Sequence, residues 1–98
     1  MAHSVDELTC EWKDDEGRVI TEQLDKIVLT KGAWATVMYL YRDLNRGTGE
    51  YGKPKARIQR YQKRGGRYSP HSKFNFSSLD QAKQVAEILM GWVHQRTE

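Results

Sequence analysis

The sequence is poor in residues that carry reaction chemistry. It has one cysteine, Cys10, so no internal disulfide can form. A lone thiol fits a reducing compartment. The histidines, His3, His71 and His94, are scattered, and their spacing from Cys10 matches no zinc pattern. Carboxylates gather only in the N-terminal part, where nothing indicates burial, so paired acid–base catalysis has no support. The expectation is a non-enzymatic chain with no metal and no cofactor.

Long apolar runs are also lacking; none approaches the roughly 20 residues needed to cross a bilayer. The start, Met-Ala-His-Ser-Val-Asp-Glu, has neither the basic nor the apolar segment of a secretory signal. The expected setting is cytoplasmic (nucleoid-associated in a bacterium), with no membrane partner. No internal repeat is visible. With 98 residues, a hydrophobic fraction of 38% and a mean hydropathy of -0.81, the chain is read as one domain, 1–98.

What the chain has is segregated charge. The net charge is only +3, but residues 1–30 hold 3 Lys/Arg against 8 Asp/Glu, while residues 42–73 hold 10 against 2. A basic block of this density is a footprint for a polyanion. A merely solvated face would intersperse the two signs.

Residues 7–13 alternate, with Leu8, Cys10 and Trp12 expected on one half-buried strand face. Asp14-Asp15-Glu16-Gly17 reads as a turn, and Arg18 to Gln23 as the returning strand of an acidic hairpin, 7–23. Leu24 to Thr30 is a short strand or part of a bent longer one. Ala33 to Leu44 is the most strongly β stretch. Trp34, Thr36, Met38 and Leu40 alternate with Ala35, Val37, Tyr39 and Tyr41, so both faces are apolar. That pattern predicts a central strand with two covers. A helix would supply one, and a partner subunit or ligand the other.

The loop 45–52 contains Gly47, Gly49 and Gly52 but no Lys-Ser/Thr ending, which rejects a phosphate-cradling loop. Lys55 to Lys63 separates cleanly. Lys55, Arg57, Gln59, Tyr61 and Lys63 form one set, expected to face outward. Cations there would neutralise phosphates, and a ring would stack on an unpaired base. Arg64-Gly65-Gly66-Arg67 reads as a hairpin turn whose arginines can point at a ligand. The strand that follows is interrupted by Pro70 and is expected at an edge or bulge. Phe74 and Phe76 are expected to point inward, and His71 to lie exposed. Ser78 and Gln81 make a capping box. The helix they open has an apolar stripe at Leu79, Ala82, Val85, Ala86, Leu89, Trp92 and Val93, broadened by Ile88. The stripe is wide enough to cover a sheet and leave surface for a second subunit. The ends, before Glu7 and after His94, are expected to be mobile.

Four segments, Tyr41-Arg42-Asp43-Leu44, Lys55 to Tyr61, Pro70 to Ser77 and the helix, resemble the positive-cofactor-four family of transcriptional coactivators and its bacterial and phage relatives. The resemblance spans residues 26–95. It implies a curved antiparallel sheet backed by one helix, a homodimer formed through helices and strands, and binding of single-stranded DNA, or of melted duplex, along basic and aromatic ridges. By position it assigns phosphate contacts to Arg42 and to Lys53 or Lys55. It places Arg57 and Gln59 near the family's second-strand arginine, and matches Tyr61 and Lys73 to its tyrosine and late lysine. Leu44 and Gln62 stand where the family carries rings.

The combined expectation is an α+β domain: a curved antiparallel sheet of four to six strands with one C-terminal α-helix packed on it. Its expected role is binding single-stranded DNA or RNA, as a transcription or replication cofactor. The expected contacts are Arg42, Lys53, Lys55, Arg57, Gln59, Tyr61, Lys63, Arg64, Arg67 and Lys73. The competing expectation is a protein-interaction module with an acidic partner.

Overall fold

The structure is a computed structural model that describes residues 3–96. The strands are β1 (Trp12–Lys13), β2 (Val19–Thr30), β3 (Trp34–Asn45), β4 (Glu50–Tyr51), β5 (Lys55–Arg64) and β6 (Arg67–Asn75), and α1 (Leu79–Arg96) ends the chain. They form a curled antiparallel sheet in the order β1-β2-β3-β5-β6, with the short β4 also paired to β3. The α+β class is as the sequence pattern indicates.

Register assigns the faces, because directly paired residues in an antiparallel sheet point the same way. One face carries Ala35, Val37, Tyr39 and Tyr41 of β3, paired with Tyr61, Gln59, Arg57 and Lys55 of β5. The other carries Trp34, Thr36, Met38 and Leu40, paired with Gln62, Arg60, Ile58 and Ala56. We call these the tyrosine face and the outer face.

The core lies on the tyrosine face. Leu8 and Cys10 pack on Ala35, Val37, Tyr39, Tyr41, Tyr61 and Tyr68, with Val5 and Val28 against the rim. The roof is therefore the N-terminal segment. Residues 7–11 are not a strand paired into a hairpin, and the hairpin 7–23 shrinks to β1 and the start of β2. A 3-10 turn, Val5–Glu7, opens the segment, with Ser4 and Glu7 capping reciprocally. The segment then crosses the sheet as a strap. It separates the alternating trio: Leu8 and Cys10 are buried, but Trp12 is 64% exposed on the edge strand. Where a mobile end is expected before Glu7, residues 3–6 are exposed except for half-buried Val5. Residues 1, 2, 97 and 98 of that expectation lie outside the described residues.

Residues 24–30 are the second half of β2, one continuous strand that absorbs a register shift between Gln23 and Asp25. Pro70 sits on edge strand β6 beside a register shift at Arg60/Tyr61, where a missing N–H is tolerated. Phe76 is buried, but Phe74 pairs with Ile58 on the outer face and is 56% exposed, not inward. The helix starts as its capping residues dictate: Gln81 N–H donates to Ser78 Oγ at 3.1 Å, and Ser77 N–H to Gln81 Oε1 at 2.8 Å. It meets the sheet through β5, with its first turn beside Lys53–Lys55. Most of its stripe does not lie on the sheet; Leu79, Ile88, Leu89 and Trp92 are all exposed.

Under the strap, the Tyr39 and Tyr61 hydroxyls meet at 2.8 Å. Burial first, then this contact, holds Tyr39 far above its ordinary ionisation range, and burial raises Tyr61 as well. Tyr39→Phe would strand the Tyr61 hydroxyl. In urea unfolding it is expected to cost about 1–3 kcal/mol. The double change Tyr39→Phe/Tyr61→Phe is expected to cost less than the sum of the single changes.

Candidate nucleic-acid interface

The β5–β6 hairpin, Lys55 to Asn75, carries seven Lys/Arg and no Asp/Glu. Alternation divides them. Lys55, Arg57 and Lys63 fall on the tyrosine face, and Lys73 joins them by pairing with Gln59. Arg60, Arg64 and Arg67 fall on the opposite side, Arg64 and Arg67 paired beside the Gly65-Gly66 turn. Arg60 was not among the expected contacts; its guanidinium lies 4.6 Å from the Trp34 ring centroid. The alternation of Lys55–Lys63 put it on the face opposite the expected contact set, and it is exposed there.

The ten expected contacts thus do not form one surface. Arg42 lies on the outer face, its Nε 2.6 Å from Glu22 Oε1 and its guanidinium over Tyr51. Lys55 Nζ approaches Asp43 Oδ2 at 3.4 Å. Lys53 is exposed beside the helix start. Tyr61 is corrected most sharply. At 3% exposure it is a core residue beneath the strap, so its ring is closed to a stacking base. The outward set expected on Lys55–Lys63 is a basic rim around a buried aromatic centre.

On that rim, Arg57 is fixed. Its Nε donates to Asn75 Oδ1 at 2.7 Å, and its guanidinium lies 4.6 Å from the Tyr41 ring centroid. The ammonium of Lys63 lies over Tyr68 at 5.3 Å. Tyr68 in turn donates to Gly32 O at 2.7 Å and accepts from Gly32 N–H at 3.1 Å, tying β6 to the β2–β3 turn. Gly32 has φ 121, which a side chain would strain. Among the described residues, Arg57, Lys63 and Lys73 form no salt bridge. Two clefts flank the strap. One, about 330 Å³, is lined by Thr9, Cys10, Glu11 and Trp12 on the strap side and by Thr21, Arg57, Gln59 and Lys73 on the sheet side. The other, about 340 Å³, runs from His3–Asp6 to Lys31, Lys63 and Tyr68.

No family model, curated protein or solved structure matches the chain. The candidate interface rests on its geometry. No group of three or more His, Cys, Asp or Glu among the described residues is placed to hold a metal ion.

The strap is held by backbone acceptors. Lys26 Nζ donates to Val5 O at 2.6 Å, Leu8 O at 2.7 Å and Asp6 O at 3.3 Å. Gln23 Oε1 accepts from Thr9 Oγ1 at 2.8 Å and Cys10 N–H at 3.2 Å. Hydrogen bonds from the His3 and Ser4 amides hold the Glu7 carboxyl below its usual range. A depressed carboxyl stabilises above its unfolded value, 4.5, and that contribution is lost as pH falls through the lower folded value. Burial raises the Cys10 thiol, so it stays protonated at neutral pH. Lys26→Met removes the donor to all three carbonyls. It is expected to speed labelling of Cys10 by a disulfide reagent at pH 7 by about tenfold or more, the equivalent of losing at least one charge-assisted bond.

Proposed function

We propose that the chain is a non-enzymatic single-stranded nucleic-acid-binding protein, acting as a homodimer in transcription or replication. The observation that carries the reading is the acid-free basic hairpin, with Arg57, Lys63 and Lys73 held around the strap on one face without carboxylate partners. A chain of phosphates is the ligand that such a row of cations matches. The clefts are small, about 330 and 340 Å³, and lie between the strap and a sheet face. The one long helix mixes Lys83 and Arg96 with Asp80 and Glu87, so it presents no basic recognition surface for a duplex major groove. Both features favour an unpaired strand. The resemblance to the positive-cofactor-four family agrees with this reading.

The dimer rests on unused apolar surface. The chain exposes 7177 Å² and has a radius of gyration of 15.7 Å. A compact monomer of this mass exposes about 5,800 Å², with a radius near 12.6 Å. The excess is larger than the roughly 800 Å² that each partner buries in a standard interface. Much of it is apolar: Ile27, Leu29 and Phe74 near the outer face, and Ile88, Leu89, Met90 and Trp92 on the helix. A second copy placing its helix on this surface would cover both at once and leave the tyrosine face free.

A titration of fluorescent 20-nucleotide single-stranded and duplex DNA and single-stranded RNA, repeated across salt concentrations, tests the binding. Tighter and salt-sensitive binding of a single strand is expected. Arg57→Ala and Lys73→Ala should each weaken it for every sequence and reduce the log–log salt slope by about 0.7. Absence of salt-sensitive binding to any of these probes would overturn the reading in favour of an acidic protein partner. Light scattering is expected to give twice the 11.4 kDa chain mass, and Trp92→Glu to shift the protein toward monomer.

A further inference from the structure

Trp12 is a large ring that the fold leaves outside its core. It is 64% exposed on a two-residue edge strand, and its pairing with Thr21 places it on the same side of the sheet as Asp43, the partner of Thr21 in β3. There it lines the cleft of about 330 Å³ together with Arg57, Gln59 and Lys73. An exposed indole has a flat apolar face with no partner, and a nucleobase is the complement that stacks on it. The two cations lie on the sheet side of the same cleft, fixed by register at neighbouring positions: Gln59 pairs with Lys73, and Arg57 with Asn75. Among the described residues neither has a salt-bridge partner. Glu11 is the acid among the lining residues and sits next to Trp12. Its charge repels phosphate from the strap side and leaves that side to an uncharged base.

We propose that this cleft is a slot for one unpaired nucleotide, its base stacked on Trp12 and its phosphate held by Arg57 and Lys73. The Gln59 amide, a donor and an acceptor, lies within the slot to meet a base edge. The cleft volume is at the lower end of the roughly 300–1,000 Å³ typical of small-ligand sites, which limits it to a single nucleotide. The slot rests on the nucleic-acid reading above, and it adds what that reading lacks: a stacking ring, supplied by the strap rather than by the basic strands.

The test compares two probes, a 20-nucleotide thymidine oligonucleotide and an abasic oligonucleotide of the same length, by fluorescence anisotropy. For Trp12→Ala, binding of the thymidine probe is expected to weaken roughly 5- to 150-fold, the span of one base–aromatic stack. Trp12→Phe should retain most of the affinity. Neither change should alter binding of the abasic probe or the salt slope, whereas Arg57→Ala should weaken both probes. Trp12 is exposed, so far-ultraviolet circular dichroism of the variants should match the parent. If the parent binds the thymidine probe and Trp12→Ala binds it equally well, the slot is overturned and the nucleic-acid reading stands. Equal loss on both probes would show that Trp12 supports the strap, and would also overturn the slot. A parent that binds neither probe would overturn the underlying reading, and the slot with it.

Discussion

The roof over the tyrosine face is the constraint on which the rest depends. A single sheet has two faces, and β3 is apolar on both. Water must be kept from at least one for the chain to retain a fixed structure. Here the short segment ahead of β1 provides that cover with two side chains, Leu8 and Cys10, and the rim residue Val5. So small a cover needs anchoring. Lys26 supplies it by donating to three strap carbonyls, and Gln23 by accepting from Thr9 and Cys10. Both anchors lie on β2, the strand next to β3, and both point to the tyrosine face because of the register shift between Gln23 and Asp25. Without that shift, strict alternation would send Gln23 and Lys26 to opposite faces.

The acidity of the N-terminal part and the basicity of the hairpin meet across this roof. Asp6, Glu7 and Glu11 belong to the strap, and Arg57, Lys63 and Lys73 stand on the sheet around it. They form no salt bridges with one another among the described residues. The strap acids instead cap a turn or face solvent: Glu7 accepts from the His3 and Ser4 amides. The hairpin cations therefore keep their reach. Glu11 lines the same cleft as Arg57 and Lys73, so it lowers the local positive potential there, but one acid against two cations does not cancel it.

The sheet was legible in the sequence because alternation carries it. Ala35 to Tyr41 and Lys55 to Lys63 declared their faces, Asp14–Gly17 and Gly65-Gly66 declared their turns, and Ser78 with Gln81 declared the helix start. What alternation cannot state is which face is inside. The cations on Lys55, Arg57 and Lys63 marked that face as outward, yet Tyr61 among them is core. Long cationic side chains can rim a buried patch while their neighbours fill it. The strap was missed for a related reason. Leu8, Cys10 and Trp12 have the period of a strand, but buried positions two apart also suit an extended segment that lies across a sheet without joining it. Only long-range partners decide between the two, and Lys26 reaching back about twenty residues to the strap carbonyls leaves no local pattern.

The two faces of the sheet divide the demands on a short chain. The tyrosine face is closed from within, and the outer face leaves Ile27 and Phe74 exposed. In the proposed reading this separates ligand from assembly. A second copy on the outer face would not obstruct the clefts beside the strap, and a strand bound in those clefts would not compete for the helix. The strap links the two roles indirectly. It completes the core that keeps β3 and β5 in register, and it carries Trp12 to the edge of the basic hairpin. A ligand that stacks on Trp12 and pairs with Arg57 and Lys73 would bridge strap and sheet across their seam. It would bind only the state in which the strap is seated, and so would stabilise that state in proportion to its occupancy.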